Sequence, residues 1–151
     1  MADAHLPPRD GPFRRAVLNP ASLAHSPAFS QGIAVEGPSR TIYVGGQNAI
    51  DSAGQVVGED IAAQTRTALG NVEAVLAEAG ARLEDLVSWT IALVDGQSLR
   101  DGFGAFLEVW GERGDPPAIS VVVVAGLANP AFLVEISGVA VVGAGSSRTR
   151  G

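Results

Sequence analysis

Between Pro116 and Gly145 the sequence holds a single ionisable side chain, Glu135. It stands in an apolar run, Phe132-Leu133-Val134-Glu135-Ile136. A carboxylate in such surroundings is costly unless it is hydrogen-bonded or paired. Three placements are open. It can face solvent at a strand edge. It can accept from backbone N–H groups or an Arg. It can line a pocket, where burial suits a carboxyl to acid–base work. The second feature is Gly45-Gly46-Gln47-Asn48. Two glycines bare the backbone beside two amides, which can orient a polar ligand or simply end a strand with its amides in solvent. The segment lacks the spacing and the Lys of a phosphate loop. Gly102-Phe103-Gly104 falls inside a helical pattern, so it is not a dinucleotide fingerprint. Trp89, Phe103, Phe106 and Trp110 read as core, and Arg66 and Arg100 as solvated helix faces.

Composition narrows the chemistry further. All ten basic residues are Arg, so Schiff-base chemistry on Lys is excluded. There is no Cys, which removes disulfides, thiolate catalysis and cysteine-bound zinc. The only His residues, His5 and His25, stand in a Pro-rich opening stretch, which argues against a His triad or a His-bound metal inside the fold. No metal and no cofactor is expected. A net charge of −6 repels phosphate backbones and argues against a nucleic-acid partner. The opening residues hold no apolar signal region, and no run is long and apolar enough to span a membrane. A cytoplasmic location is the default expectation.

These candidates must be positioned by one domain, since the chain has 151 residues. Hydrophobic residues make up 46% of it, enough for a core. Residues 1–26 carry four prolines and no periodicity and read as a leader. Residues 27–142 read as the folded domain, and 143–151 as a flexible tail. Strands are expected at 29–35 and 41–47, joined by a turn at 36–39 of the kind that links antiparallel strands. A short strand at 55–57 is also open. Ile61, Thr65, Leu69, Val72, Leu76 and Ala79 form one helical stripe. Asp60 is its expected N-cap, and Gly80 its stop. A strand at 86–94, a helix at 99–110 and strands at 118–124 and 132–142 complete the order. Gly102 and Gly104 weaken the second helix by about 1 kcal/mol each relative to Ala.

The order implies an α+β fold, a mixed sheet with both helices on one face. Val121 to Val124 has no polar side, and such strands are usually buried on both faces. Two helices cover one face only. The other is expected to pack against sister subunits, or under a folded-back leader.

At this point the residues resemble the RidA/YjgF family. Pro27-Ala28-Phe29-Ser30-Gln31-Gly32 is similar to its opening Gly-Pro-Tyr-x-Gln-Gly/Ala segment. Tyr43-Val44-Gly45-Gly46-Gln47 is similar to its Ser-Gly-Gln strand end. Gln64 to Val72 and Ala79-Gly80-Ala81 resemble its first helix and exit. Pro117-Ala118-Ile119-Ser120 and Leu133-Val134-Glu135-Ile136 stand where its Pro-Ala-Arg-Ser and hydrophobic-Glu-Ile signatures would be. The resemblance implies a chorismate-mutase-like fold and a homotrimer with small-molecule clefts between subunits. In active members those clefts hydrolyse enamines and imines without metal or cofactor. An Arg clamps the substrate carboxylate there in a bidentate fork, and a Glu helps hold ligand and water.

The sequence departs from that pattern at three positions. Ile119 replaces the clamp Arg, Phe29 the opening Tyr, and Phe103 an Asn that often faces the ligand. The resemblance then implies a cleft of Phe29, Phe103, Ile119 and Ser120, with Gly46, Gln47, Asn48 and Glu135 as its polar part. Glu135 is the candidate catalytic residue. Ile cannot pair a carboxylate, so the expected ligand is a small neutral or cationic metabolite, bound and, with Glu135 activating water, hydrolysed. Two alternatives stand beside this. One is an active enamine/imine deaminase that takes its Arg from elsewhere, for example Arg100. The other is a binding module without turnover.

Overall fold

A computed structural model describes residues 12–145. His5 and most of the expected tail lie outside the described residues. Strand β1 (Arg14–Leu18) pairs antiparallel with β2 (Gly32–Glu36) in a separate two-stranded sheet. The stretch 1–26 is therefore not leader throughout. The residues of β1 alternate between exposed and half-buried, and Phe13 packs against Gly143. Five residues between prolines are too short a signal to read as a strand.

The main sheet has the order β3-β6-β4-β5, from β3 (Ser39–Gln47), β4 (Leu86–Val94), β5 (Ala118–Val124) and β6 (Val134–Gly143). Only the β4–β5 pair is parallel. The turn at Gly37 has φ 83°, yet it does not join a hairpin. It carries the chain from one sheet to the other, because β2 takes β1 as its partner and β3 takes β6. At the expected short strand, the described structure has only a bridge between Ile50 and Val56. Strand β6 reaches Gly143, one residue into the stretch read as tail.

Helix α1 (Ile61–Glu78) begins where Asp60 accepts from the Ala63 N–H at 2.8 Å. It buries Ile61, Thr65, Leu69, Val72 and Leu76 along the expected stripe, and Gly80 follows with φ 67°. Helix α2 (Leu99–Trp110) starts at the Ser98 cap and ends at Gly111, φ 58°. Its Phe106 and Trp110 close on Trp89 of β4 edge-to-face, at 5.2 and 6.0 Å. Both helices lie on one face of the sheet, over Val44, Trp89, Val134 and Ile136. Arg66 and Glu108 clip them together in solvent at 2.8 Å. The hydrogen bond from Arg66 holds the Glu108 carboxyl below its usual range, a surface contribution that is small.

Strand β5 is uncovered within a single chain. Val121, Val122 and Val123 are 51%, 45% and 57% exposed. As the edge strand, β5 is open on both faces of a single chain. The second helix differs from the reading of one apolar side. Phe106 and Trp110 are buried, whereas Leu99, Phe103 and Leu107, one turn apart, are 57%, 42% and 46% exposed. That second stripe stands beside the open strand rather than over the core.

Candidate functional site

The sheet divides the expected site in two. Val134 and Ile136 point to the helices, so Glu135 between them points to the open face. Ile119 pairs with Trp89 and faces the helix side, while its neighbour Ser120 pairs with Thr90 on the open side. Phe29, Phe103 and Ile119 are brought together. Gly46 and Glu135 are brought together elsewhere. Within one chain, position parity along β5 and β6 puts Ile119 and Glu135 on opposite faces, so a cleft that uses both must be completed by a second chain.

On the helix side is a cavity of about 500 Å³ between α2 and β5. Its wall includes Phe29, Leu99, Phe103, Ile119, Val121 and, as the single polar side chain among the described residues, Thr65. Among the described residues no charged side chain lines it. Phe29 is placed by Ser30, which is buried, donates its hydroxyl to the Pro116 carbonyl and its N–H to that of Pro117, and bridges to Ala118. Phe103 stacks on Phe106 at 6.0 Å. The crossing of α2 over α1 runs through Gly102, where a Cβ would stand 3.4 Å from Ile61 and 3.8 Å from the Thr65 hydroxyl. A glycine that weakens the isolated helix thus lets the two helices approach.

On the open face, β3 bulges between Val44 and Gln47. A Cβ on Gly46 would fall 2.5 Å from Cδ of Glu135 and 2.6 Å from its Oε1. Glycine leaves room for that carboxyl over the backbone, and a side chain there would have to displace it. Glu135 is half-buried and has no hydrogen bond or ion pair among the described residues. Of its three placements, the structural acceptor finds no backbone N–H or Arg among the described residues of the same chain. Gln47 donates to the Gly45 carbonyl at 3.1 Å. The Asn48 amide is engaged in the fold: it donates to the Val134 carbonyl at 3.0 Å, while Asn71 donates to the carbonyls of Asn48 and Ile50. Arg100 is 92% exposed and pairs with Asp101 at 3.2 Å, outside the cavity wall.

Sequence reasoning passed over Gln64 and took Thr65 only as part of a stripe. Both are buried on α1, at 2% and 5% exposure. Gln64 donates to the carbonyls of Gly58 and Ala131 and accepts from the Leu133 N–H. Two adjacent polar residues on a buried stripe were the available signal. No group of acidic or His residues among those described could hold a metal. No helix among them is long and apolar enough to cross a membrane.

Comparison with known proteins gives consistent matches. A family model described as Endoribonuclease L-PSP matches residues 20–142. The chain is 33% identical over 134 residues to the 2-iminobutanoate/2-iminopropanoate deaminase of Rattus norvegicus, covering 87% of this chain and 92% of that protein. It superposes on the crystal structure of the Rid-family protein YyfB of Yersinia pestis with a TM-score of 0.75 and 33% identity, over 83% of this chain and 97% of that one. The YjgF-family protein Rv2704 of Mycobacterium tuberculosis superposes with a TM-score of 0.59 and 30% identity, over 85% and 100%. With the mixed sheet, the two helices on one face and the Gly-Gly-Gln strand end in place, the chain belongs to the RidA/YjgF (Endoribonuclease L-PSP) family.

Proposed function

We propose that this chain binds a small uncharged metabolite and does not clamp a substrate carboxylate. One observation carries the reading: Ile119, at the clamp position, lies in a cavity wall with no charged side chain among the described residues. A carboxylate there would lose water and gain no partner. Glu135 is the group that would hold or activate water if the ligand is hydrolysed. Its free carboxylate over the Gly46 backbone supports that role. The family description names an endoribonuclease. The net charge of −6 and the uncharged cavity wall disfavour a phosphate chain at this site.

The test couples an amino-acid oxidase, which releases imino acids, to a measurement of ammonia. Adding this protein is expected to leave the rate of ammonia release unchanged. Clear acceleration would overturn the proposal and favour the second reading, an active deaminase like the rat relative. In that reading Arg100, next to the cavity-lining Leu99, or an Arg of a sister chain holds the carboxylate.

The same reading takes the protein as a homotrimer. The half-exposed valines of the edge strand β5 support it, because stretches this apolar favour burial against another chain. A sister chain can also bring its Glu135 face to the mouth of the cavity, which one chain cannot do. Sedimentation is expected at three times the 15.4 kDa chain mass. A well-folded single chain would count against it.

A further inference from the structure

Two polar residues stand side by side on the buried stripe of α1, and only one of them is satisfied. Gln64 uses its donor and acceptor atoms on the loops around it. Thr65 is 5% exposed, and among the described residues its hydroxyl has no hydrogen-bond partner. A helical Thr ordinarily returns its hydroxyl to the carbonyl four residues back. Thr67 does so, donating to the Ala63 carbonyl at 3.2 Å. Thr65 makes no such bond to Ile61, and it lines the apolar cavity instead. Gly102, with no side chain, leaves space in front of that hydroxyl.

The Thr65 oxygen is not sealed off but opens on the cavity, so its partner must be whatever enters there, water or a ligand. Here it sits in a hydrocarbon wall, in a cavity of about 500 Å³, within the usual size range of small-molecule sites. We propose that the occupant is an uncharged, largely hydrocarbon molecule whose one hydrogen-bonding group, a carbonyl or hydroxyl, meets Thr65. This rests on the small-molecule reading above and adds the ligand class and the residue that orients it. The hydrocarbon walls take the body of the ligand, and the Thr65 hydroxyl fixes which end enters first.

Three matched probes test this on the full chain: acetophenone, ethylbenzene and benzoate. Binding is followed by saturation-transfer NMR. Tryptophan emission is a second readout, because Phe106 lines the cavity and touches both Trp89 and Trp110. Thr65→Val keeps the shape and removes the hydroxyl. It is expected to weaken acetophenone about tenfold, roughly the worth of one hydrogen bond, and to leave ethylbenzene unchanged. Thr65→Ser is expected to restore acetophenone. Benzoate is expected to bind about a hundredfold more weakly than acetophenone, as an unpaired buried anion should. Equal affinity of wild type and Thr65→Val for acetophenone would overturn the role of Thr65 while leaving the small-molecule reading intact. If none of the three probes binds, because a side chain of a second copy fills the cavity, both fail together.

Discussion

Replacing Gln64 by Leu is expected to lower the free energy of unfolding by about 3–5 kcal/mol, read from denaturant titration. The side chain is 2% exposed and holds three backbone groups from two loops. Leucine fills much of the volume, so the loss is not a cavity effect. It leaves the Leu133 N–H and the Gly58 and Ala131 carbonyls without their partner. Each unsatisfied buried group costs roughly 1–3 kcal/mol, less whatever water recovers. That exceeds the usual effect of a point change, about 1 kcal/mol. The damage is also directional. Leu133 accepts from the Val94 N–H at 3.0 Å, and the segment it begins leads into β6 and Glu135. Gln64→Glu separates the two roles of the amide. Glutamate can still accept from Leu133, but its charged form faces two carbonyls. Burial and those carbonyls raise its pKa in the folded state above the unfolded value. The folded state therefore binds the extra proton, and stability falls as pH rises through that window. This variant is expected to recover stability in acid, whereas Gln64→Leu is not. A loss below about 1 kcal/mol for Gln64→Leu would mean that water replaces the clip without cost.

Much of what positions the site is legible in the sequence, and what is not has a physical cause. The spacing of Ile61, Leu69, Val72 and Leu76, the Asp60 cap and Gly80 specify α1 because each signal is local. The bounds of α2 follow in the same way from Leu99 to Trp110. In the Gly45-Gly46 pair a close approach is readable, because a bare backbone in a strand needs a reason, and it is met at Gly46. Three things resist. Strand β1 is set by its partner β2 and not by its own five residues. The division of α2 into a core face at Phe106 and Trp110 and an open face at Leu99, Phe103 and Leu107 depends on how far the edge strand reaches. The separation of Ile119 from Glu135 depends on pairing register, a long-range property that composition does not carry. The family resemblance names the residues of a cleft but not which side of the sheet each one serves in a single chain.

Ile119→Arg is expected to reverse the preference of the cavity, raising affinity for benzoate about a hundredfold, the equivalent of roughly 2.7 kcal/mol. Ile119 is partly buried and lies on the cavity wall near Phe29 and Phe103, on the edge strand. Two effects compete. Taking a guanidinium out of water is costly, which would weaken the fold and leave binding unchanged. Against this, the cavity borders an open edge with half-exposed Val121 and Val123, so the long side chain can keep its head near water. Arg also presents a planar fork that meets a carboxylate through two parallel hydrogen bonds, a geometry no residue now in the wall offers. The Coulombic gain exceeds the residual desolvation as long as the head remains partly hydrated. Thr65 provides the internal control. If the guanidinium alone captures the anion, Ile119→Arg with Thr65→Val keeps the benzoate gain and loses only the preference for acetophenone. Titration calorimetry of both variants reads the two effects separately. A folded Ile119→Arg variant that still ignores benzoate would show that Phe29 and Phe103 close the anion's path. The family's carboxylate clamp would then require at least those two positions as well as the Arg.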